Sequence, residues 1–239
     1  MKKKNLPLTI FYPVYNDWGT IASMVAEAII TAEKITDNYE IILVDDGSRE
    51  KTKDILRLLE STFPQVKVIT HTQNRGYGGA LKSGFEHAAK EFIFYTDGDA
   101  QYDVRELAKL TEAMNENVDV VNGWKIKRHD PVYRIWIGKF YQYISKVLFS
   151  LPIKDVDCDF RLMRKSIFND IHLVSDSGTI CVEMIHKLGR NGVRFTQVPV
   201  THYFRSSGKS EFFNLKRLLR VARDYTKLWF RLVILKEKD

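Results

Sequence analysis

The stretch Phe92-Ile93-Phe94-Tyr95-Thr96-Asp97-Gly98-Asp99-Ala100-Gln101 decides the fold of this 239-residue chain. Its bulky apolar residues predict a buried strand that runs directly into Asp-Gly-Asp. Ligands of open α/β sheets bind outside the carboxyl ends of the strands, so this acidic strand end indicates a binding site. Close carboxylates repel each other unless a cation lies between them, and hard oxygen ligands suit Mg²⁺ or Mn²⁺. The alternative is an acidic turn, because Asp-Gly is also a common hairpin sequence.

Two earlier strands end in polar residues in the same way. Residues 40–48 form an apolar strand that runs into Asp-Asp-Gly-Ser, whose glycine permits a tight turn. Its Ser48 is placed to cap the helix that follows, near residue 51. Residues 8–17 contain the first predicted strand. It is expected to break at Pro13 and to be followed by a polar loop at 15–17.

Between these strand ends the pattern alternates between strand and helix. The predicted helices are 18–35, 52–61 and 79–90. A further strand is predicted at 66–70, before the strand at 92–96 described above. Such alternation implies right-handed crossovers and a mostly parallel sheet. We therefore expect an α/β fold with all three polar strand ends at one edge.

Six motifs occur in a recognisable order. They are Pro13-Val14-Tyr15-Asn16, Val44-Asp45-Asp46-Gly47-Ser48, Asn74-Arg75-Gly76-Tyr77-Gly78-Gly79-Ala80, Thr96-Asp97-Gly98-Asp99, an acidic segment from Asp155 to Arg161 followed by Met163-Arg164-Lys165, and a basic loop at 202–210. Over residues 6–212 the chain resembles the inverting family 2 glycosyltransferases. Within them it resembles the branch of dolichol-phosphate mannose synthases and bacterial polyprenyl-phosphate glycosyltransferases.

The resemblance implies a GT-A (Rossmann-like) fold as a single domain, expected at 1–212, with a basic amphipathic helix at 213–239. It implies a nucleotide-sugar donor, either GDP-mannose or a UDP-sugar, and a divalent cation, Mg²⁺ or Mn²⁺. It also implies transfer with inversion to a polyprenyl or dolichyl phosphate at a membrane surface.

For the donor, Asp99 is the first choice as metal ligand, with Asp97 binding the ribose or the metal and Gln101 near the same site. Asp46 is suited to accept a hydrogen bond from the base, and Tyr15 to supply a face for its ring. The remaining predicted donor-site residues are Pro13, which shapes the first loop, Asp17, Gly98, and Arg75 and Lys82 as phosphate contacts.

The acceptor chemistry leaves two alternatives open. A lipid phosphate is already anionic and needs only cations to hold it, for which Arg134, Lys139, Arg205 and Lys209 are available. A hydroxyl acceptor needs a positioned carboxylate as general base. Asp157 and Asp159 are the candidates, at positions where the lipid-phosphate enzymes commonly carry small or hydroxyl residues.

The charge is concentrated at one end of the chain. The net charge is +7, and residues 201–239 alone contribute ten Lys and Arg against four Asp and Glu. From Leu215 onward the apolar residues fall on one helical face and six cations on another. This pattern fits a helix lying on an anionic membrane and also a terminal helix packed on its own domain. Nucleic-acid binding is a distant alternative, and we expect no nucleic-acid partner; the oligomeric state is left open.

A second apolar stripe runs from Tyr133 to Leu151 at helical spacing, and such aromatic stripes favour a core position over membrane contact. The two cysteines, Cys158 and Cys181, are too few for a disulfide framework, which indicates a reducing compartment. No segment reads as a signal peptide or approaches the ~20 apolar residues of a membrane span. We therefore expect a cytoplasmic protein, peripheral on the cytosolic face of a membrane and not secreted.

Overall fold

The computed structural model describes residues 6–126, 132–204 and 215–237. Seven strands form one sheet: β1 (Leu8–Val14), β2 (Tyr39–Asp45), β3 (Val66–Thr70), β4 (Phe92–Thr96), β5 (Val120–Lys125), β6 (Phe160–Arg164) and β7 (Phe195–Val200). The helices are α1 (Ile21–Ile35), α2 (Glu50–Thr62), α3 (Gly76–His87), α4 (Leu107–Ala113), α5 (Val132–Phe149), α6 (Ile180–Arg190) and α7 (Leu215–Trp229). Short 3₁₀ turns lie at Val104–Glu106 and Lys165–Phe168, and α7 continues as a π-helical turn at Phe230–Ile234.

The strand order is β3-β2-β1-β4-β6-β5-β7. β1 pairs in parallel with β2 and β4, β2 with β3, and β5 with β7, whereas β6 is antiparallel to both of its neighbours. The expected single α/β domain with a mostly parallel sheet is therefore confirmed, and the carboxyl ends of β1, β2 and β4 meet at one edge.

Successive side chains of each strand point to opposite faces of the sheet. Helices cover both faces, so the side chains on both are buried. Ile10 and Tyr12 pack with α1, α2 and α4 on one face. Phe11, between them, packs with α3, α5 and α6 on the other face. This three-layer arrangement fixes the central strands, so the loops after them are held on a rigid support.

The predicted break of the first strand at Pro13 is wrong, since β1 continues to Val14. The amide of Leu8 and the carbonyl of Val14 bond towards β2, so alternation directs the ring nitrogen of Pro13 towards β4. β4 pairs with β1 only as far as Phe11. The missing N–H of proline therefore leaves no ladder hydrogen bond unmade.

Helix α7 and the turn after it pack on the domain through one side. Leu228 and Leu232 are buried in the core, and the hydroxyl of Tyr225 donates to or accepts from Ser145 Oγ of α5 at 2.9 Å. The helical period predicts that Thr226 and Phe230 belong to the apolar face, but both are exposed, so the face that packs is rotated from the predicted one. Of the two alternatives for this helix, the structure therefore shows the terminal helix packed on its own domain.

Helix α5 departs further from expectation. Trp136, Phe140, Tyr143 and Val147 are 70, 67, 69 and 61% exposed, and their spacing of four, three and four residues places them on one face. The expectation that this stripe belongs to the core is wrong for that face. The core side of the helix is carried instead by Tyr141, Ser145 and Phe149.

Candidate active site

The loops after β1 and β4 are in direct contact at the carboxyl edge. A Cβ on Gly98 would lie 3.2 Å from the carbonyl oxygen of Pro13 and 3.4 Å from Asp17 Oδ2. The Thr20 hydroxyl donates to the Gly98 carbonyl at 2.6 Å. Three of the predicted donor-site residues, from two distant parts of the chain, therefore lie together.

The loop after β1 is also tied to the loop after β2. The amide of Asn16 donates to Ser48 Oγ at 3.0 Å, and Asn16 Oδ1 accepts from the amide of Arg49 at 2.9 Å. The predicted capping of α2 by Ser48 is wrong, because its hydroxyl is used in this cross-link and no side chain caps that helix. Tyr15 is exposed beside this link, where its ring is accessible to a ligand.

Asp46 is buried at the end of β2 and accepts two hydrogen bonds. His71 Nδ1 lies 2.7 Å from its Oδ1, and the backbone amide of Arg75 donates to the same oxygen at 2.7 Å. The side chain of Arg75 is exposed and folds back over α3, with Nη1 3.4 Å from Ser83 Oγ. The predicted contact of Arg75 with a donor phosphate stays a prediction.

Asp97 and Asp99 follow β4, as predicted. The Tyr77 hydroxyl donates to Asp97 Oδ1 at 2.8 Å. Asp99 is buried, and its Oδ1 accepts from the backbone amide of Gln101 at 3.0 Å. Burial raises the pKa of Asp97 well above its usual range, and the nearby carboxylates of Asp159 and Asp99 raise it further. This electrostatic cost is what a bound cation relieves.

Backbone strain accompanies the two acidic loops. Asn16 and Ala100 adopt positive φ angles of 62° and 60°. For a side chain larger than glycine this conformation is uncommon, and such strain concentrates at functional sites.

The chain returns to this site after β7, at the start of the basic loop predicted at 202–210, through contacts that the sequence did not reveal. Tyr102 and His202 form an isolated antiparallel bridge, and their rings are 5.1 Å apart. The amide of Tyr203 donates to the Gln101 carbonyl at 2.8 Å, and Gln101 Nε2 donates to the Tyr203 carbonyl at 3.1 Å. His202 is buried beside the Asp99 loop, so it joins the residues that line this region.

The acidic segment before β6 is organised by a fully buried arginine. Arg161 bonds to the Tyr95 hydroxyl, the Val156 carbonyl and Asn122 Oδ1, and its Nη1 lies 3.0 Å from Asp159 Oδ1. Asp159 is therefore one half of an ion pair. It lies at the same edge of the sheet as Asp97. It is one of the two predicted general-base candidates.

The other acids of this segment have different surroundings. Buried Asp155 accepts from Gln142 Nε2 at 2.5 Å and pairs with Lys125 Nζ at 3.5 Å. Lys125 Nζ also donates to the carbonyl of Asp157 at 2.6 Å. Asp157 itself is only partly buried.

The glycine-rich motif at the start of α3 packs against the backbone of another loop, at residues 175–176, and does not form an open binding loop. A Cβ on Gly76 would lie 2.4 Å from the Asp176 carbonyl oxygen, and one on Gly78 would lie 2.2 Å from that of Ser175. Lys82 Nζ pairs with Asp176 Oδ1 at 2.6 Å, which directs this cation to the loop. The phosphate contact predicted for Lys82 stays a prediction.

Buried Glu183, at the start of α6, holds the same loop from below. Its two carboxylate oxygens accept from the amides of Val174 and Ser175 at 3.0 and 2.8 Å. Lys187 Nζ lies 3.4 Å from it. The 173–178 loop is therefore positioned by α3 on one side and α6 on the other.

Two of the predicted acceptor-binding residues, Arg205 and Lys209, lie outside the described residues. Arg134 and Lys139 lie on α5, whose backbone is described there, but their side chains are not. The acceptor role of all four stays a prediction.

The donor set fits a divalent cation that is completed by a ligand. Within residues 6–126, 132–204 and 215–237 no group of three or more histidine, cysteine or acidic side chains is arranged to hold a metal by itself. Asp97 and Asp99 supply two carboxylates at one strand end. Mg²⁺ is typically bound through one or two carboxylates together with substrate phosphates, so this sparse set matches a cation shared with a diphosphate.

An open α/β sheet with polar loops converging at the carboxyl ends of its parallel strands places this chain in the class of α/β proteins that bind ligands at that edge. The chain belongs to the glycosyl transferase family 2, whose profile matches residues 9–172. This confirms the resemblance seen in the motifs.

Curated relatives share about a quarter of their residues with this chain. One from Edwardsiella ictaluri, an undecaprenyl-phosphate 4-deoxy-4-formamido-L-arabinose transferase, is 26% identical over 219 residues, covering 91% of this chain and 66% of the relative. The enzyme of the same name from Pseudomonas syringae is 27% identical over 209 residues, covering 86% and 60%. The chain therefore spans less than two thirds of the length of these relatives.

Solved structures confirm the GT-A fold. A mannosyltransferase from Pyrobaculum calidifontis, in complex with GDP-Man and Mn²⁺, superimposes with a TM-score of 0.69 at 20% identity, covering 97% of this chain and 65% of that one. Glucosyl-3-phosphoglycerate synthase from Mycobacterium tuberculosis, with Mn²⁺, UDP and phosphoglyceric acid, gives 0.67 at 15% identity, covering 94% and 78%. In the described part of this chain no helix is both long and apolar enough to span a bilayer.

Proposed function

We propose that this chain transfers a sugar from a nucleotide-diphosphate sugar to a polyprenyl phosphate at a membrane surface, with inversion and with a divalent cation. The observation that carries the proposal is the convergence of Asp97, Asp99 and the Pro13–Asp17 loop at one sheet edge. Family membership and the polyprenyl-phosphate relatives support it.

On the donor side, Asp99 and Asp97 would hold Mg²⁺ or Mn²⁺, which neutralises charge on the departing diphosphate. Asp46 would accept an N–H from the base, and exposed Tyr15 would cover the base ring. The cross-links of Asn16 and Ser48 keep these two loops in register. The donor would be GDP-mannose or a UDP-sugar.

On the acceptor side, a lipid phosphate needs cations and an apolar approach. Arg134, Lys139, Arg205 and Lys209 would supply the cations. The exposed aromatic face of α5 supplies the apolar approach, since Trp and Tyr are favoured at membrane–water interfaces. This face supports peripheral attachment to a membrane surface, for which we propose the cytosolic side.

A specific observation favours a second candidate, transfer to a hydroxyl acceptor. Asp159 is a carboxylate close enough to Asp97 to raise that residue's pKa, and an anion there opposes binding of a phosphate. In this alternative Asp159 or Asp157 would take the proton of the hydroxyl.

A donor and acceptor screen separates the two candidates. Purified protein with Mn²⁺ would be incubated with labelled GDP-mannose or UDP-sugars and with undecaprenyl phosphate. We expect label in solvent-extractable lipid. Label only on added glycan or glycolipid hydroxyls would establish the second candidate, and nucleotide release with neither acceptor would contradict both.

A further inference from the structure

A chain of three buried polar side chains lies behind the donor loops. His71 Nδ1 is 2.7 Å from Asp46 Oδ1, and His71 Nε2 is 2.9 Å from Ser83 Oγ. These residues are 7, 3 and 3% exposed, respectively. They come from three separate elements, the end of β2, the residue after β3 and the middle of α3.

We propose that His71 and Ser83 are positioning residues, which hold the Asp46 carboxylate as a pure acceptor for a ring N–H of the donor base. The inference rests on the proposed function, because it assigns residues to the recognition of its nucleotide. Ser83 contacts the ring nitrogen of His71 that faces away from Asp46, so the Ser-His-Asp arrangement here is an internal support and not a nucleophile with its base.

The chemistry of the partners indicates which atoms of this chain donate and which accept. The Arg75 amide can only donate, so Asp46 Oδ1 is an acceptor there. The Arg75 guanidinium, 3.4 Å from Ser83 Oγ, can also only donate. An ionised carboxylate can only accept, so Nδ1 is the nitrogen that donates to Asp46. The Ser83 hydroxyl can accept from Arg75 and still donate its own proton to His71 Nε2. With Nδ1 as donor and Nε2 as acceptor, each of these contacts joins one donor to one acceptor.

The arrangement leaves one carboxylate oxygen for a ligand. Both hydrogen bonds to the Asp46 carboxylate in the described part of the chain are accepted by Oδ1, so Oδ2 is available at the loop edge. A carboxylate oxygen accepts from the ring N–H of uracil or guanine. The corresponding ring nitrogens of cytosine and adenine are themselves acceptors, and a buried acceptor facing an acceptor is penalised.

Two substitutions of His71 separate its two hydrogen bonds. The amide nitrogen of Asn can replace Nδ1, so His71→Asn keeps the donor to Asp46, whereas the longer Gln reaches towards Ser83 and loses that donor. His172, which is exposed, provides the control His172→Gln. Binding of UDP, GDP, CDP and ADP in the presence of Mn²⁺ would be measured by calorimetry, with thermal unfolding as the check on folding.

We expect His71→Gln to weaken the preferred nucleotide by about tenfold, the worth of one lost hydrogen bond, and to reduce its preference over CDP and ADP. His71→Asn should stay within about threefold of wild type. An unchanged preference, or an equal loss for all four nucleotides, would overturn the inference and leave the proposed function standing. Wild-type protein that binds none of them would overturn both.

A second variant covers the case in which His71→Gln does not fold. Ser83→Ala removes the partner of Nε2 with little change in volume, so the His71 ring is held from one side only. We expect the same direction of change, a smaller preference for the best nucleotide over CDP and ADP. A folded Ser83→Ala protein with wild-type preference would overturn the inference.

Discussion

The hydroxyl of Tyr77 donates a hydrogen bond to Asp97 Oδ1 over 2.8 Å. It connects the glycine-rich start of α3 to the acidic end of β4, so two motifs that are twenty residues apart form one site. The same carboxylate lies near Asp99 and Asp159, and burial together with these charges raises its pKa well above the usual range. Ionisation of Asp97 in the folded site is therefore unfavourable, and we call this the stored charge of the site.

The first prediction concerns that stored charge. The folded pKa of Asp97 is raised above the unfolded value of about 3.9, so its favourable contribution is complete below that pH and is lost as the pH rises through the folded pKa. At neutral pH, Asp97→Asn should therefore stabilise the metal-free protein. We expect a higher Tm, by about 2–4 °C for each kcal/mol gained.

The control for this stability measurement is Asp54→Asn, which removes an exposed carboxylate on α2. Its Tm should stay close to that of wild type. Mn²⁺ should raise the Tm of wild type more than that of Asp97→Asn. A metal-free Asp97→Asn protein less stable than wild type at neutral pH would contradict the assignment of stored charge.

The second prediction concerns catalysis. Asp99→Asn removes one negative charge with almost no change of shape, so it weakens the hold on the cation that neutralises the leaving diphosphate. We expect turnover to fall by at least ~10²-fold, and excess chelator to abolish wild-type activity. Full activity of the variant, or of wild type in chelator, would show that the reaction does not depend on a cation at Asp99.

The sequence predicted the sheet and its acidic edge because apolar strands that end in Asp or Asn are local patterns. Asp46 and Asp99 could be placed at one edge from strand alternation alone. The hydrogen-bond partners of Asp46 and Asp97 could not be predicted, since His71 and Tyr77 reach them only after folding. Their signal was weak, one tyrosine in a glycine-rich motif and one histidine just after a strand.

The role of the glycine-rich motif was hidden for a related reason. Its glycines are needed because the backbone of residues 175–176 lies against them, and that loop is about a hundred positions further along the chain. Likewise, the exposed face of α5 has the same periodicity as a core face. Periodicity shows that a helix has an apolar side, but not what covers it.

The third prediction tests the close approach at α3. A Cβ on Gly78 would lie 2.2 Å from the backbone oxygen of Ser175, so Gly78→Ala must displace the 173–178 loop. We expect a loss of about 1–3 kcal/mol in the free energy of unfolding, measured by denaturant titration. In the matched control, Gly178→Ala, nothing lies within 4 Å of the new Cβ, and the change should stay within about 0.5 kcal/mol. Equal effects would argue against the loop contact.

The fourth prediction concerns the buried cation. Arg161→Met leaves Asp159 and Asn122 Oδ1 without their donor in the interior, which typically costs about 3–5 kcal/mol. Arg164, on the same strand, is partly exposed and pairs with Glu91 at 3.2 Å. Arg164→Met should therefore cost only about 1 kcal/mol or less in ion-pair energy. Denaturant unfolding of both variants measures the difference, and similar losses would contradict the role given to Arg161.

The last prediction concerns membrane binding. Removal of α7 and the π-helical turn after it does not test it cleanly, because Leu228 and Leu232 belong to the core and their loss would destabilise the domain. The exposed face of α5 offers a better test, since Trp136 and Phe140 can be changed to serine with little effect on the core. We expect wild-type protein to bind vesicles of anionic lipid at low salt, and the double variant to bind markedly less.

Salt separates the two contributions to that binding. The cations of α5 and α7 contribute roughly 1 kcal/mol each near an anionic surface, and this part weakens as salt rises. The apolar contribution of Trp136 and Phe140 does not, so wild type should retain more binding at high salt than the variant. Leu58→Ser, which alters an exposed apolar residue on α2, is the control and should bind as wild type does. If the double variant binds like wild type at every salt concentration, α5 does not face the lipid, and the hydroxyl-acceptor alternative with Asp159 gains support.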